Sequence, residues 1–439
     1  MDVLLQAVIV FGAVMLGVRY KGIGLGIWGG AAVLVLALVC GLKPTSAPID
    51  VILIILAVIT AVSVMYAAGG LDYMVSIAEK IIRANPNRIV IVAPLVTWFF
   101  TFLGGTAHMV NSLLPVIYEV SMSVGIRPER SMTISTIASQ TALVASPVAA
   151  CTAALLGLFA ANGAGNITLG HIMIVTVPAT LISVVCGAFA MLRYGKDLKD
   201  DPEYQARLAA GLVPPVKPAS ARTNLPKSAQ VSMWLFILGV AFAVTGGFIP
   251  AVRTPLGMPK PMSMSVFLQL CMFATSLLIL LVCKPKLNDA MNSPVMKAGI
   301  TAVICVFGLA WMGDTFIKAH SAEWVKDLGV YVQQAPWLLA FAFFFGSSLL
   351  NSQAPTVRAL YPLGFALGLP APMILGMFPA CLGTSFFPTS GVIVACINYD
   401  QSGTTRIGKY VLNHSFMLSV IVTTGISTVL GIVFAQLFL

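Results

Sequence analysis

The sequence predicts an all-α polytopic membrane protein: two inverted-topology repeats with broken or re-entrant helices, and roughly 12–14 membrane segments at ~20 apolar residues per span. Three observations carry this expectation. Charge is scarce, with 25 Lys or Arg and 15 Asp or Glu in 439 residues, 9% of the chain against 58% hydrophobic. Apolar runs recur from end to end, separated by short polar loops. Landmarks of the first half also return in the second at a nearly constant offset. A soluble globule of this size cannot cover its surface with so few charges. Disorder and a disulfide-stapled secreted domain are excluded on the same numbers.

The first half holds apolar runs at roughly 3–18, 23–42, 50–68, 89–104, 106–120, 133–160 and 170–192. The opening run has no basic leader and no small-residue cleavage site, so it reads as a first span and not as a removed signal. A polar stretch from Arg193 to Lys227 follows, with seven Lys/Arg, four Asp/Glu and the prolines Pro214, Pro215 and Pro218. The second half then offers runs at roughly 230–250, 265–283, 298–317, 336–350, 355–369, 372–397 and 411–438. The expected organisation is an N-terminal repeat over 1–192, a cytoplasmic polar linker over 193–229 and a C-terminal inverted repeat over 230–439.

Seven segments per half is an odd number, so the second half should enter the membrane with opposite orientation. The cations agree. With the loop after the first span placed inside, nineteen Lys/Arg fall in inside loops and five in outside ones (Lys43, Arg253, Lys260, Lys318, Lys326), leaving Arg358 in the apolar zone. That asymmetry satisfies the positive-inside rule and puts both termini outside. The net charge of +10 is thereby spent on topology, and no nucleic-acid partner is expected. The eight cysteines are dispersed without a CxxC pair and read as small buried hydrophobes; neither a metal nor a cofactor is expected.

Asp72 and Asp314 lie 242 residues apart, as do Gly104 and Gly346; Gly125 and Gly368 are separated by 243, and Pro147 and Pro388 by 241. Four matches in order indicate an internal repeat, which with the odd span count is the architecture of many secondary transporters. The polar residues of the membrane zone gather in equivalent stretches of both halves. In the first they are Gly104–Ser112, with Thr106 and Asn111, and Ser139–Pro147, with Ser139, Thr141 and Ser146. In the second they are Gly346–Arg358, with Asn351, Ser352, Gln353 and Thr356, and Gly383–Gly391, with Thr384, Ser385, Thr389 and Ser390. Gly and Pro admit non-helical backbone, and hydroxyls and amides satisfy the groups that lipid cannot. Such breaks leave half-helix N-termini, which favour anions. The competing reading is close helix packing by small residues.

A cation at the depth of Arg358 costs at least ~2.5–3.5 kcal/mol, and the nearest acidic residues in sequence are Asp327 and Asp400. An unpaired intramembrane Arg calls for an anionic partner from outside, and a guanidinium fork fits a carboxylate. Arg358 is therefore a candidate ligand for a substrate carboxylate; the alternatives are a distant partner (Asp72, Asp314 or Glu119) or snorkelling. Asp72 and Asp314, at equivalent span ends, either cap helices or coordinate a coupling ion, with capping preferred. His108 stands beside a break, where a structural role is preferred over proton coupling. Glu79 and Arg83 are spaced as an i,i+4 helix pair.

Lys21-Gly22-Ile23-Gly24-Leu25-Gly26, Gly69-Gly70-Leu71-Asp72-Tyr73, Trp311-Met312-Gly313-Asp314-Thr315-Phe316, Ser352-Gln353-Ala354, Ser402-Gly403-Thr404-Thr405-Arg406-Ile407-Gly408-Lys409 and the linker's Asp200-Asp201-Pro202-Glu203-Tyr204 resemble the anaerobic C4-dicarboxylate transporter (Dcu) family over essentially the whole chain. The resemblance implies an inner-membrane antiporter of Gram-negative bacteria exchanging fumarate, malate, aspartate and succinate by alternating access. It also implies kinship with the ion-transporter superfamily, whose hairpin tips and broken helices hold carboxylates. Some members carry a Lys where Arg358 stands here. A homo-oligomer and a sensor-kinase partner are both compatible with the resemblance, and nothing in these residues decides either. The alternatives are a Na⁺- or H⁺-coupled symporter and, more distantly, a membrane-embedded enzyme. No HExxH or GxSxG motif supports the enzyme.

Overall fold

Helices make up all the regular structure among the described residues. The computed structural model describes residues 3–20, 22–215, 225–350, 352–388, 390–408 and 413–439, without the side chains of 18 and 321–333. Two expected site residues, Asn351 and Thr389, lie outside the described residues. The same holds for Lys21, Lys217, Arg222 and Lys409 of the inside-loop tally.

The first half comprises α1 (Val3–Tyr20), α2 (Gly24–Leu38), α3 (Ile49–Ala67), α4 (Gly70–Ala84), α5 (Ile89–Gly104), α6 (Met109–Ser123), α7 (Pro128–Ala145), α8 (Ala150–Ala161) and α9 (Leu169–Met191). The linker contributes α10 (Pro202–Ala209). The second half comprises α11 (Lys227–Phe248), α12 (Met264–Cys283), α13 (Leu287–Met291), α14 (Pro294–Gln334), α15 (Leu338–Leu350), α16 (Gln353–Leu360), α17 (Pro362–Ala366) and α18 (Ala371–Gly376). It continues through a 3₁₀ turn over Phe378–Ser385 to α19 (Gly391–Tyr399) and α20 (Met417–Phe438). Among the described residues, eight helical segments are long and apolar enough to cross a membrane, and four shorter apolar ones accompany them.

The interruptions fall where small and polar residues cluster. α5 and α6 are parted at 105–108, α7 and α8 at 146–149, α16 is entered from Ser352, and the 3₁₀ turn and α19 are parted at 386–388 and Ser390. Gly105 shows why the first break needs glycine: its φ is +65°, and a Cβ there would sit 2.7 Å from the Val148 carbonyl oxygen. Two expectations are corrected. The span ending near 317 and the loop after it form one helix, α14, running to Gln334, because no proline interrupts the chain before Pro336. The last helix starts at Met417 and not near 411.

The halves share one core. α9 packs on α20, α3 on α14 and α12, and α8 on α16, and a single apolar cluster runs through both. The linker fastens both halves at one end. Arg127 pairs with Glu129 (2.5 Å) and with Asp201, and Arg130 donates to the Tyr194 carbonyl (2.7 Å). Arg207 donates to the Ser402 carbonyl (3.1 Å), Arg406 pairs with Glu203, and Ser415 donates to Glu129. Burial opposes the Asp201 carboxylate, but the Arg127 hydrogen bond and the N–H groups of Tyr204 and Glu203 outweigh it and hold its pKa below the usual value.

Candidate functional site

All four interruptions open on one cavity of about 270 Å³ between the halves. Gly104–His108 line it from the first break, Val148–Cys151 from the second, Ser352–Ala354 from the third, and Ser390–Val392 with Thr384 from the fourth. α3 and α14 supply an apolar wall that includes Ile55, Ile59, Ala298 and Gly299. These contributions bring the N-termini of α6, α8, α16 and α19 to the same space. Each such end carries the positive end of a helix dipole, and those of α8, α16 and α19 also carry free N–H groups, whereas the first N–H groups of α6 donate to the carbonyls of Thr106, Ala107 and His108. No Asp, Glu, Lys or Arg lines the cavity among the described residues. The site is therefore neutral in formal charge and rich in donors, an arrangement suited to a small anion.

Of the residues the sequence singles out, Thr106, Ser352, Gln353, Thr384 and Ser390 line the cavity. The hydroxyls of Thr384 and Ser390 are buried without a hydrogen-bond partner, so they are uncommitted donors at its edge. Gln353 acts structurally as well. Its Nε2 donates to the Gln140 carbonyl (3.0 Å), tying the second half's hairpin to the first half's broken helix.

The remaining candidates build the walls. Ser139 donates to the Ala107 carbonyl (2.8 Å) and accepts from Thr101 (3.2 Å), which fixes the first hairpin tip against α7. Ser146 donates to the Phe102 carbonyl (2.7 Å). Thr141 and Thr356 bond back to the carbonyls of Ile137 (2.8 Å) and Ser352 (2.6 Å). Asn111 and Ser385 stand outside the lining, with the Asn111 Oδ1 and Ser385 Oγ atoms buried and unpartnered.

Arg358 departs from expectation. It is not unpaired: its Nη2 lies 3.2 Å from Asp314 Oδ2, a partner 44 positions away that reaches it because α16 packs on α14. Arg358 lies outside the lining, on the Ala354 face of α16 (i,i+4), and its Nε and Nη1 are buried without acceptors. The pairing also corrects the preferred reading of Asp314, which sits inside α14 and caps no helix end. Asp72 does occupy the first turn of α4, where the N-cap is Gly69 at φ +86°. Arg83 is hydrogen-bonded to Glu119 of α6 through two nitrogens, at 2.8 and 2.9 Å, so its main partner is tertiary and not Glu79.

Three further polar or thiol side chains belong to lining residues that the sequence does not single out as ligands: His108, Gln140 and Cys151. Gln140 stood within a flagged stretch, and His108 beside one. Cys151 had only its place just after a break to distinguish it from the other buried cysteines.

A family model described as "Anaerobic c4-dicarboxylate membrane transporter" matches residues 2–439. The chain is 38% identical over 436 residues to the C4-dicarboxylate transporter DcuA of Escherichia coli (strain K12), covering 99% of each. It is 37% identical over 436 residues to DcuA of Wolinella succinogenes, again covering 99% of each. With the anaerobic C4-dicarboxylate transporter DcuB of Escherichia coli O157:H7 it shares 36% over 446 residues, 99% of this chain and 98% of that one. Among solved structures, the Alcanivorax borkumensis YdaH transporter, reported as having an unusual topology, superposes with a TM-score of 0.52 at 14% identity. The match covers 89% of this chain and 86% of that one, a likeness of fold alone.

Proposed function

Since the chain belongs to the anaerobic C4-dicarboxylate membrane transporter family, we propose that it is a secondary transporter exchanging C4-dicarboxylates such as fumarate, malate, aspartate and succinate by alternating access. It is read as a carrier without enzymatic activity. The observation that carries this reading is the convergence of four helix N-termini, three of them with free N–H groups, and two uncommitted hydroxyls on one cavity with no charged side chain among the described residues that line it. A dianion needs two anchors. The N-termini of α16 and α19, with Thr384 and Ser390, suit one carboxylate; those of α6 and α8 suit the other. Arg358 supplies the cation the lining lacks. It lies one turn beyond Ala354 in the last turn of α16, complements that end of the helix dipole, and keeps two donors for a carboxylate that reaches the hairpin.

Residues 1–192 and 230–439 then act as inverted repeats that move about the cavity, joined by the 193–229 linker on the cytoplasmic side of the inner membrane, with both termini periplasmic. An empty carrier leaves its donors unanswered in the cavity and returns reluctantly, whereas in a loaded one the substrate carboxylates answer them. Exchange follows from that difference. Uptake of labelled succinate into proteoliposomes should depend on internal fumarate or aspartate. Equal uptake into empty vesicles contradicts exchange, and sodium-dependent uptake into them indicates symport instead.

A further inference from the structure

We propose that Gln140 reads the substituent on C2 of the transported C4-dicarboxylate; this rests on the transport reading above. Around the cavity the Gln353 amide and the nearby carbonyls are already engaged, which leaves Gln140 and the His108 ring, besides the hydroxyls, as the uncommitted side-chain acceptors. The free N–H groups of the half-helices and the hydroxyls of Thr384 and Ser390 answer carboxylate oxygens. The Gln353 amide is used at both ends, donating to the Gln140 carbonyl at 3.0 Å and accepting from the Cys151 thiol at 3.7 Å. The Leu143 carbonyl accepts from Thr152 at 3.3 Å, and the Ala107 carbonyl accepts from Ser139 at 2.8 Å.

Gln140 differs. Its side chain lines the cavity and makes no hydrogen bond to the described residues. Its main chain is pinned by Gln353, and its neighbour Ser139 is pinned to the first hairpin tip. The backbone is thus fixed while the side-chain amide is left uncommitted, and its Oε1 is a neutral acceptor available to the substrate space. Unsubstituted carbons between two carboxylates offer that acceptor nothing. A C2 hydroxyl donates to Oε1, and a C2 ammonium does so with charge assistance. Gln140 is accordingly a specificity residue, favouring hydroxy- and amino-substituted dicarboxylates over plain ones.

The test is competition against labelled succinate uptake in proteoliposomes of the full chain. Unlabelled succinate, fumarate, malate and aspartate are compared in wild type, Gln140→Met and Gln140→Asn. The quantity read is the ratio of the malate or aspartate inhibition constant to that of succinate, which cancels any uniform loss from altered folding. The ratio should rise at least about tenfold in Gln140→Met, the scale of a lost hydrogen bond to a polar or charged group. It should rise less in Gln140→Asn, where the amide survives one methylene further back. An unchanged ratio in both variants overturns the proposal, as does the same shift in His108→Asn without one in Gln140→Met. Wild type without saturable succinate uptake removes the transport reading itself, and the inference with it.

Discussion

The two hairpins are fastened by ion pairs of opposite polarity. In the first, α4 supplies the cation and the returning arm α6 the anion, Arg83 to Glu119, with two hydrogen bonds of 2.8 and 2.9 Å. In the second, α14 supplies the anion and the returning arm α16 the cation, Asp314 to Arg358, with one contact of 3.2 Å. The first pair is partly wet, with side chains 32% and 15% exposed. Arg358 is only 4% exposed and keeps two nitrogens without acceptors. The difference teaches where charge is held in reserve. A fork matched to a carboxylate at a watery edge is a fastening. A dry guanidinium with one long contact is under-coordinated, and it lies behind the cavity.

The largest effect expected from this contrast is on the second pair. Arg358→Gln strands the Asp314 carboxylate and should cost about 3–5 kcal/mol of stability, whereas the double variant with Asp314→Asn should recover most of it. Thermal unfolding in detergent checks this, and equal losses in single and double variants break the comparison. A middle effect is expected at the tips. Gln353→Ala removes the bond to the Gln140 carbonyl and should cost about 0.5–1.5 kcal/mol, the net value of one hydrogen bond, because that carbonyl keeps its place in the α7 ladder. Asn111→Ala near the first hairpin tip should cost less, because the Asn111 Oδ1 atom has no partner to lose. The smallest is Arg83→Gln, worth about 0.2–1 kcal/mol and weakened further by salt, as partly exposed pairs are. A loss as large as that of Arg358→Gln sinks the distinction between fastening and reserve.

The breaks were legible because lipid leaves the chain few options. Glycine, proline and hydroxyl residues inside apolar runs are costly unless they serve non-helical backbone, and all four stretches chosen on that ground border the cavity. The partners of single charges were not legible. Glu79 is the local neighbour of Arg83, but Glu119 captures it across 36 positions, and Asp314 captures Arg358 across 44. Both contacts depend on how helices pack and not on spacing within a helix. Nor did the aspartate repeat reveal that the halves differ at that point. Gly69 in the left-handed region separates α3 from α4, while α14 runs through the corresponding place unbroken. The two aspartates that the sequence pairs therefore occupy a first turn in one half and a helix interior in the other.

The central claim is that the cavity between the halves holds the dicarboxylate through half-helix N-termini and the Thr384 and Ser390 hydroxyls. It is tested most directly by the concentration dependence of labelled succinate exchange in proteoliposomes, comparing wild type with the Thr384→Val, Ser390→Ala double variant. Valine keeps the shape of threonine, so the loss is of donors and not of packing. The account predicts a KM raised about tenfold or more, the value of losing hydrogen bonds to a charged group. An unchanged KM at full exchange rate would contradict it.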